Sequence, residues 1–173
     1  MQRNIVLIGM PGSGKTVIGR LLAKELNMPY IDADVMLESL AGEKIPTLFE
    51  QGEEVFRDWE TKVCEELSHK SGTVIATGGG VVKRGQNMEL LRENGIIVFL
   101  DRSPEDIVGD VDCSGRPLLK GGLQRVYELY GERIDLYRQY SDITVVNNAT
   151  RGETASAIVS KVTDYLWKGW INR

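Results

Sequence analysis

The segment "GMPGSGKT", residues 9 to 16, decides the fold class of this chain. It matches the pattern GxxxxGK[ST] at Gly9, Gly14, Lys15 and Thr16, directly after the apolar run 5–8 and directly before a segment with helical spacing of apolar residues. Glycines let backbone N–H groups gather around phosphate oxygens, and the positive end of the following helix strengthens that attraction. This order of strand, loop and helix predicts a nucleoside triphosphate site, with ATP as the first ligand.

Two side chains of this loop carry the predicted chemistry. Lys15 is expected to reach the β- and γ-phosphates, and the hydroxyl of Thr16 is expected to ligate Mg²⁺. The alternative interpretation is a tight turn with a solvated lysine, which the flanking strand and helix disfavour. The predicted ATP-binding residues of the loop are Gly12, Ser13, Gly14, Lys15, Thr16 and Val17.

Size and charge limit the classes of function. The 173 residues predict one domain, 1–173, and 21 basic against 25 acidic residues give a net charge of −4, which does not favour binding to nucleic acid or to an anionic membrane. Cys64, Cys113 and the single histidine, His69, have no zinc-ligand spacing, so both cysteines are interpreted as free thiols. With no apolar stretch of signal or membrane length, we expect a cytoplasmic monomer that binds small molecules.

Short runs rich in β-branched residues alternate with longer segments of helical periodicity. This alternation predicts an α/β fold with a parallel sheet covered by helices on both faces. The predicted strands are 4–8, 29–31, 73–77, 96–100 and 143–147. The predicted helices are 15–26, 34–40, 46–70, 86–94, 103–109, 122–140 and 152–167.

Two acidic residues follow the second predicted strand, in "YIDADVM". The carboxyl edge of a parallel sheet is where such folds bind their ligands, so we assign Asp32 to the metal shell and Asp34 to the second substrate. The alternative for Asp34 is a purely structural role as the N-cap of the next helix.

Three consecutive glycines, Gly78, Gly79 and Gly80, follow the third predicted strand, in "VIATGGGVV". Glycine is disfavoured inside a strand, and one residue is usually enough for a turn. We therefore expect bare backbone N–H groups and room for a compact ligand at this edge. A tight turn is the alternative, and it explains one or two of the glycines more readily than all three.

The segment "DVDCSGRPLLKGG", 110–122, interrupts the helical pattern and ends in glycines. Two interpretations stay open on these residues alone, a mobile lid over the site or an ordinary surface loop.

Over nearly its whole length the sequence resembles the shikimate kinases. The resemblance rests on "GMPGSGKT", the "DAD" at 32–34, "LFEQGEEVFRDWE" at 48–60, "TGGG" at 77–80, "RPLL" at 116–119 and "GERIDLYRQY" at 131–140. It implies phosphorylation of the 3-hydroxyl of shikimate by ATP with Mg²⁺, in the route to aromatic amino acids. It also implies the fold of the nucleoside monophosphate kinases, a five-stranded parallel sheet in an α/β/α arrangement, with a substrate-binding region at about 33–60 and a lid at about 110–122.

The resemblance also implies roles for individual residues. Arg57 and Arg133 are expected to bind the carboxylate of shikimate, with Glu60 holding Arg57, while Asp34 and the glycines 78–80 bind the ring hydroxyls. Lys15, Asp34 and Arg116 are the expected catalytic residues. On the residues alone, either arginine of the pair fits an exposed helix position equally well.

The chain departs from the family pattern before "RPLL". Family members commonly carry a basic residue there that contacts the nucleotide, whereas this chain has Gly109, Asp110 and Asp112. Thr150 and Arg151 are predicted neighbours of the adenine, although an arginine there also fits a solvated position.

Two other functions stay open. Another small P-loop kinase, such as a gluconate kinase, would keep the ATP site and change the substrate. An ATP-binding regulatory module without catalysis would be expected to lose an active-site group such as Asp34 or Arg116, and both are present.

Overall fold

The computed structural model describes residues 3–111 and 122–171. The predicted lid falls almost entirely on residues outside these ranges, and so do Arg116 and Cys113. The strands are β1 Asn4–Ile8, β2 Tyr30–Asp32, β3 Val74–Ala76, β4 Gly95–Asp101 and β5 Ile143–Val146. The helices are α1 Lys15–Leu26, α2 Ala33–Ala41, α3 Ile45–Gln51, α4 Glu53–Ser68, α5 Gly85–Glu93, α6 Pro104–Val111, α7 Gly122–Tyr140 and α8 Arg151–Ile171.

The five strands form one parallel sheet in the order β2-β3-β1-β4-β5. The central strand β1 pairs with β3 on one side and with β4 on the other, so that Val6 lies between Ile75 and Ile97. The predicted five-stranded parallel α/β fold is therefore confirmed. All five carboxyl ends lie at one edge of the sheet, which is the edge that carries the P-loop (residues 9–16).

Both faces of the sheet are buried, which explains the unbroken apolar run of β1. Ile5 and Leu7 belong to the core under α1 and α8, whereas Val6 and Ile8 belong to the core on the opposite face. That second core includes residues of α2 to α7. The arrangement is the predicted three-layer α/β/α sandwich.

The predicted helix 46–70 is wrong as a single element. Gly52, at φ 136°, separates α3 from α4, because this backbone conformation is one that side chains other than glycine rarely adopt. Apolar spacing runs through both helices, which is why the sequence pattern reads as one. A 3₁₀ helix, Val81–Lys83, which the sequence pattern did not predict, follows the three glycines directly.

None of the helices within the described ranges combines the length and the apolar character that crossing a membrane requires.

Candidate functional site

A cleft of about 800 Å³ opens at the carboxyl edge of the sheet. The P-loop forms its floor, α6 forms one wall and the segment after β5 forms another. Its predicted site residues are Gly12, Gly14, Lys15, Thr16, Val17, Asp34, Gly78, Gly79, Thr150 and Arg151. Topology alone brings these residues together, because each follows a strand that ends at this edge.

The P-loop has the backbone geometry that anion binding requires. Gly9, Gly12 and Gly14 all have positive φ, and α1 begins immediately after the last of them. The buried ammonium of Lys15 donates hydrogen bonds to the carbonyl oxygens of Gly9 and Met10, both at 2.8 Å. Lys15 therefore supports the shape of the loop in addition to the phosphate-binding role predicted for it.

Thr16, the last residue of the P-loop, contacts Asp32 at the end of β2. The hydroxyl of Thr16 donates to Asp32 Oδ2 at 3.2 Å. Asp32 is also the N-cap of α2, since its Oδ1 accepts from the backbone N–H groups of Asp34 and Val35. The alternative in which Asp34 caps this helix is therefore wrong, because the helix begins one residue earlier than the apolar pattern indicates.

With the cap supplied by Asp32, the carboxylate of Asp34 is available to the cleft. A Cβ added to Gly78 would lie 2.9 Å from Asp34 Oδ1 and 3.4 Å from Glu60 Oε1. Burial, and then the charge of Asp32, raise the pKa of Asp34 above its ordinary value. A carboxylate disfavoured in its charged form is well suited to accept a proton.

Arg57 lies in a buried ion pair on α4. Its Nη1 donates to Glu60 Oε2 at 2.7 Å, and its Nη2 donates to Glu53 Oε1 at 3.2 Å. The side chains of Arg57 and Glu60 are each only 7% exposed. The alternative of an exposed helix arginine is therefore wrong for Arg57, and Glu60 holds the guanidinium as its i+3 position indicates.

One atom of this pair, Glu60 Oε1, and one atom of α7, Arg133 Nε, are buried without a hydrogen-bond partner among the described residues. Buried polar groups in native proteins are nearly always paired, so an unpaired donor and an unpaired acceptor at one place indicate a ligand site. Tyr137, one turn after Arg133 on α7, donates to the carbonyl oxygen of Gly79 at 2.6 Å and links that helix to the glycines. Burial is the main cause that raises the pKa of Tyr137 to about 12, so this phenol is a neutral donor at physiological pH.

The sequence predicts room for a ligand beside the three glycines. At Gly79 and Gly80, side chains of the protein itself fill that space. A Cβ added to Gly79 would lie 2.6 Å from Pro11 Cδ, and one added to Gly80 would overlap the guanidinium of Arg57. Gly80 is itself buried and is not part of the cleft wall. The glycines therefore allow the P-loop and the arginine to approach the backbone, while their direct contact with a ligand stays a prediction.

Thr150 and Arg151 both lie on the cleft wall. Thr150 exchanges hydrogen bonds with Glu153 in a capping box at the start of α8, at 2.9 Å from Thr150 N to Glu153 Oε2. Contact with adenine stays a prediction for both residues. His69 is exposed at the end of α4, and Cys64 is buried.

Arg102 and Asn147 also line the cleft, and sequence reasoning missed both. Asn147 donates to the carbonyl oxygen of Ser13 at 2.8 Å, which fixes the P-loop to the end of β5. The only sequence signal for either residue is its place one position after a strand at the carboxyl edge.

A family model described as shikimate kinase matches residues 11–165. A shikimate kinase from Clostridium botulinum is 48% identical over 158 residues, which are 91% of this chain and 96% of that one. Among solved structures, a shikimate kinase from Acinetobacter baumannii in complex with shikimate superposes with a TM-score of 0.88 at 34% identity, covering 95% of this chain and 94% of that one. A gluconokinase from Sinorhizobium meliloti superposes at 0.63 with 17% identity, covering 96% and 97%, which is a likeness of fold alone.

Proposed function

Since the chain belongs to the shikimate kinase family, we propose that its cleft transfers the γ-phosphoryl group of ATP to the 3-hydroxyl of shikimate. Membership of the family makes the protein an ATP-dependent phosphotransferase. The observation that supports the choice of acceptor is the cluster of Arg57, Glu60 and Arg133, which holds two buried polar atoms without a partner among the described residues. Glu60 Oε1 lies next to Gly78, as does the carboxylate of Asp34.

The charges of this cluster favour a ligand with one carboxylate. Glu60 and Glu53 already neutralise Arg57, whereas Arg133 forms no ion pair with a carboxylate of the described residues. Arg133 therefore supplies the uncompensated positive charge, and Arg57 supplies a guanidinium whose orientation is fixed before the ligand arrives. A preorganised arginine pair suits a planar carboxylate, because the N–H groups and the oxygen atoms match in geometry.

Transfer of a phosphoryl group asks the protein mainly for positioning and for neutralisation of charge. In this proposal the P-loop amides and Lys15 hold the phosphates, and Asp34 orients the accepting hydroxyl and takes its proton. The raised pKa of Asp34 supports that role. Arg116, which lies outside the described residues, is predicted from the family resemblance to add positive charge from the lid.

Thr16 and Asp32 are the residues that would hold Mg²⁺. Their hydroxyl and carboxylate are hard oxygen ligands, and they lie together at the start of α1, where the phosphates are expected. The ion would neutralise charge on the β- and γ-phosphates when bound. A cytoplasmic location, a monomeric state, the single domain 1–173 and the limits of the substrate region and lid stay predictions.

Activity with shikimate and with gluconate separates the candidate functions. We expect ADP release to depend on shikimate and not on gluconate, and ³¹P NMR of the product should locate the phosphate on the 3-hydroxyl. Faster turnover of gluconate would show that the acceptor is wrong. ATP binding without transfer to either compound would identify a nucleotide-binding module.

Two alanine variants test whether Gly80 supports shikimate binding and whether Gly79 also supports ATP binding. Gly80→Ala should displace Arg57 and raise the KM for shikimate roughly tenfold or more, because small misplacements of a binding group are costly. Gly79→Ala should push on Pro11 in the P-loop, so its KM for ATP should rise as well. Steady-state kinetics with each substrate varied in turn gives both values.

Gly131→Ala is the matched control, since an added Cβ there meets no atom of the described residues within 4 Å. It should leave both KM values unchanged. If Gly80→Ala changes the KM for ATP as much as the KM for shikimate, then the proposal that Gly80 acts on shikimate binding through Arg57 is wrong.

A further inference from the structure

Arg102 lies directly after β4, between the P-loop and α6. Its Nη1 donates to the carbonyl oxygen of Gly12 at 3.2 Å, and its Nη2 forms an ion pair with Asp110 at 2.7 Å. The Arg102 side chain is 20% exposed and lines the cleft. Two bonds, one to the P-loop and one to α6, orient this guanidinium at the cleft.

The shape of the cleft indicates which part of a nucleotide lies near Arg102. If the P-loop amides hold the phosphates, the base must lie in the rest of the cleft, between α6 and the segment 147–151. Among the described residues, no atom lies within 4 Å of a Cβ added to Gly109, so the described part of the α6 wall leaves room for a flat group.

We propose that the nucleotide base stacks on the guanidinium plane of Arg102, and that Asp110 positions that plane. The inference rests on the proposed function, because it assumes that the triphosphate occupies the P-loop. It assigns a role in ATP binding to a residue outside the P-loop, the lid and the segment 150–151.

The hydrogen bonds of Arg102 favour contact through the plane over contact through the edge. Bidentate binding of a phosphate uses the N–H groups of two nitrogens on one edge of the guanidinium. In Arg102 both terminal nitrogens already make one contact each, Nη1 with Gly12 and Nη2 with Asp110, which directs that edge of the guanidinium toward the P-loop and α6. The planar face does not compete with those bonds, and arginine stacks on aromatic rings through this face.

The ion pair also explains how the acidic start of the predicted lid is compatible with ATP. Asp106 and Asp110 both line the cleft on α6, where two free carboxylates would repel a triphosphate. Arg102 compensates the charge of Asp110. In this proposal the role of Asp110 is to hold Arg102.

The test compares ATP and ADP, which carry the base, with tripolyphosphate, which carries phosphates alone. Calorimetric titration with Mg²⁺ present should give Arg102→Ala a Kd for ATP and for ADP that is roughly five- to twentyfold higher than that of the unmodified protein. In Arg102→Ala the Kd for tripolyphosphate, which has no base, should rise less than the Kd for ATP, because only the uncompensated charge of Asp110 acts on it. Arg102→Lys keeps the positive charge beside Asp110 and should lose nearly as much affinity for ATP, because lysine has no planar face.

Arg92→Ala is the control, since Arg92 is also near a carboxylate, Asp142 at 4.0 Å, but is not part of the cleft wall. Equal losses for ATP and tripolyphosphate in Arg102→Ala would mean that Arg102 acts through the P-loop or the phosphates, and stacking would be wrong. Full ATP affinity in Arg102→Lys would also overturn the stacking proposal, as would unchanged ATP affinity in both variants. If the unmodified protein binds no ATP, the proposed function itself fails.

Discussion

Replacing Lys15 with methionine is expected to lower kcat/KM for ATP by about a thousandfold or more. The ammonium is the positive charge predicted to follow the β- and γ-phosphates into the transition state. It also donates to the carbonyl oxygens of Gly9 and Met10, so its loss should loosen the loop and weaken ATP binding. A coupled assay of ADP release measures turnover, and titration with ATP measures binding.

Lys24→Met is the matched control for this variant. Lys24 lies in the last turn of the same helix, α1, and is exposed. We expect it to leave turnover and ATP affinity unchanged. Near-normal turnover in Lys15→Met would contradict the assignment of the P-loop as the phosphate site.

Replacing Asp34 with asparagine is expected to reduce kcat by roughly a hundredfold to ten-thousandfold, the usual contribution of a positioned general base. Asparagine has nearly the same shape and still accepts a hydrogen bond, so shikimate binding should change much less than kcat. Asp58→Asn, which changes an exposed carboxylate of α4 paired with Arg84, is the control and should be fully active. An unchanged kcat in Asp34→Asn would show that another group accepts the proton.

The raised pKa of Asp34 also makes the stability of the protein depend on pH. Because folding raises this pKa above 3.8, the ionised form is disfavoured in the folded state, and the stability that Asp34 contributes is lost as pH rises through the folded pKa. At neutral pH, Asp34→Asn should therefore melt at a higher temperature than the unmodified protein. The acid limb of kcat/KM should lie above pH 3.8, since catalysis needs the ionised form.

Local patterns predicted most elements of the fold. Helix α1 has the predicted limits, because Gly14 at φ 94° and Asn27 at φ 52° end the helical geometry on each side. The sequence failed at Gly52, since the apolar pattern continues across it, and at Val81–Lys83, which is shorter than any helical period. Periodicity reports which side chains face the core and is insensitive to a local change in φ.

The sequence by itself determined the parallel sheet, the phosphate-binding loop and the edge at which the site lies. Each of these depends on residues that are adjacent in the chain, such as a strand followed by glycines, a lysine and a helix. Only the tertiary structure decided the partners: Asp32 bonded to Thr16, Pro11 packed on Gly79, and Arg102 between Gly12 and Asp110. Gly12 and Arg102 are 90 residues apart in the chain. A hydrogen bond or a packing contact requires a separation of a few ångströms, and only the placement of whole strands and helices against one another sets that separation.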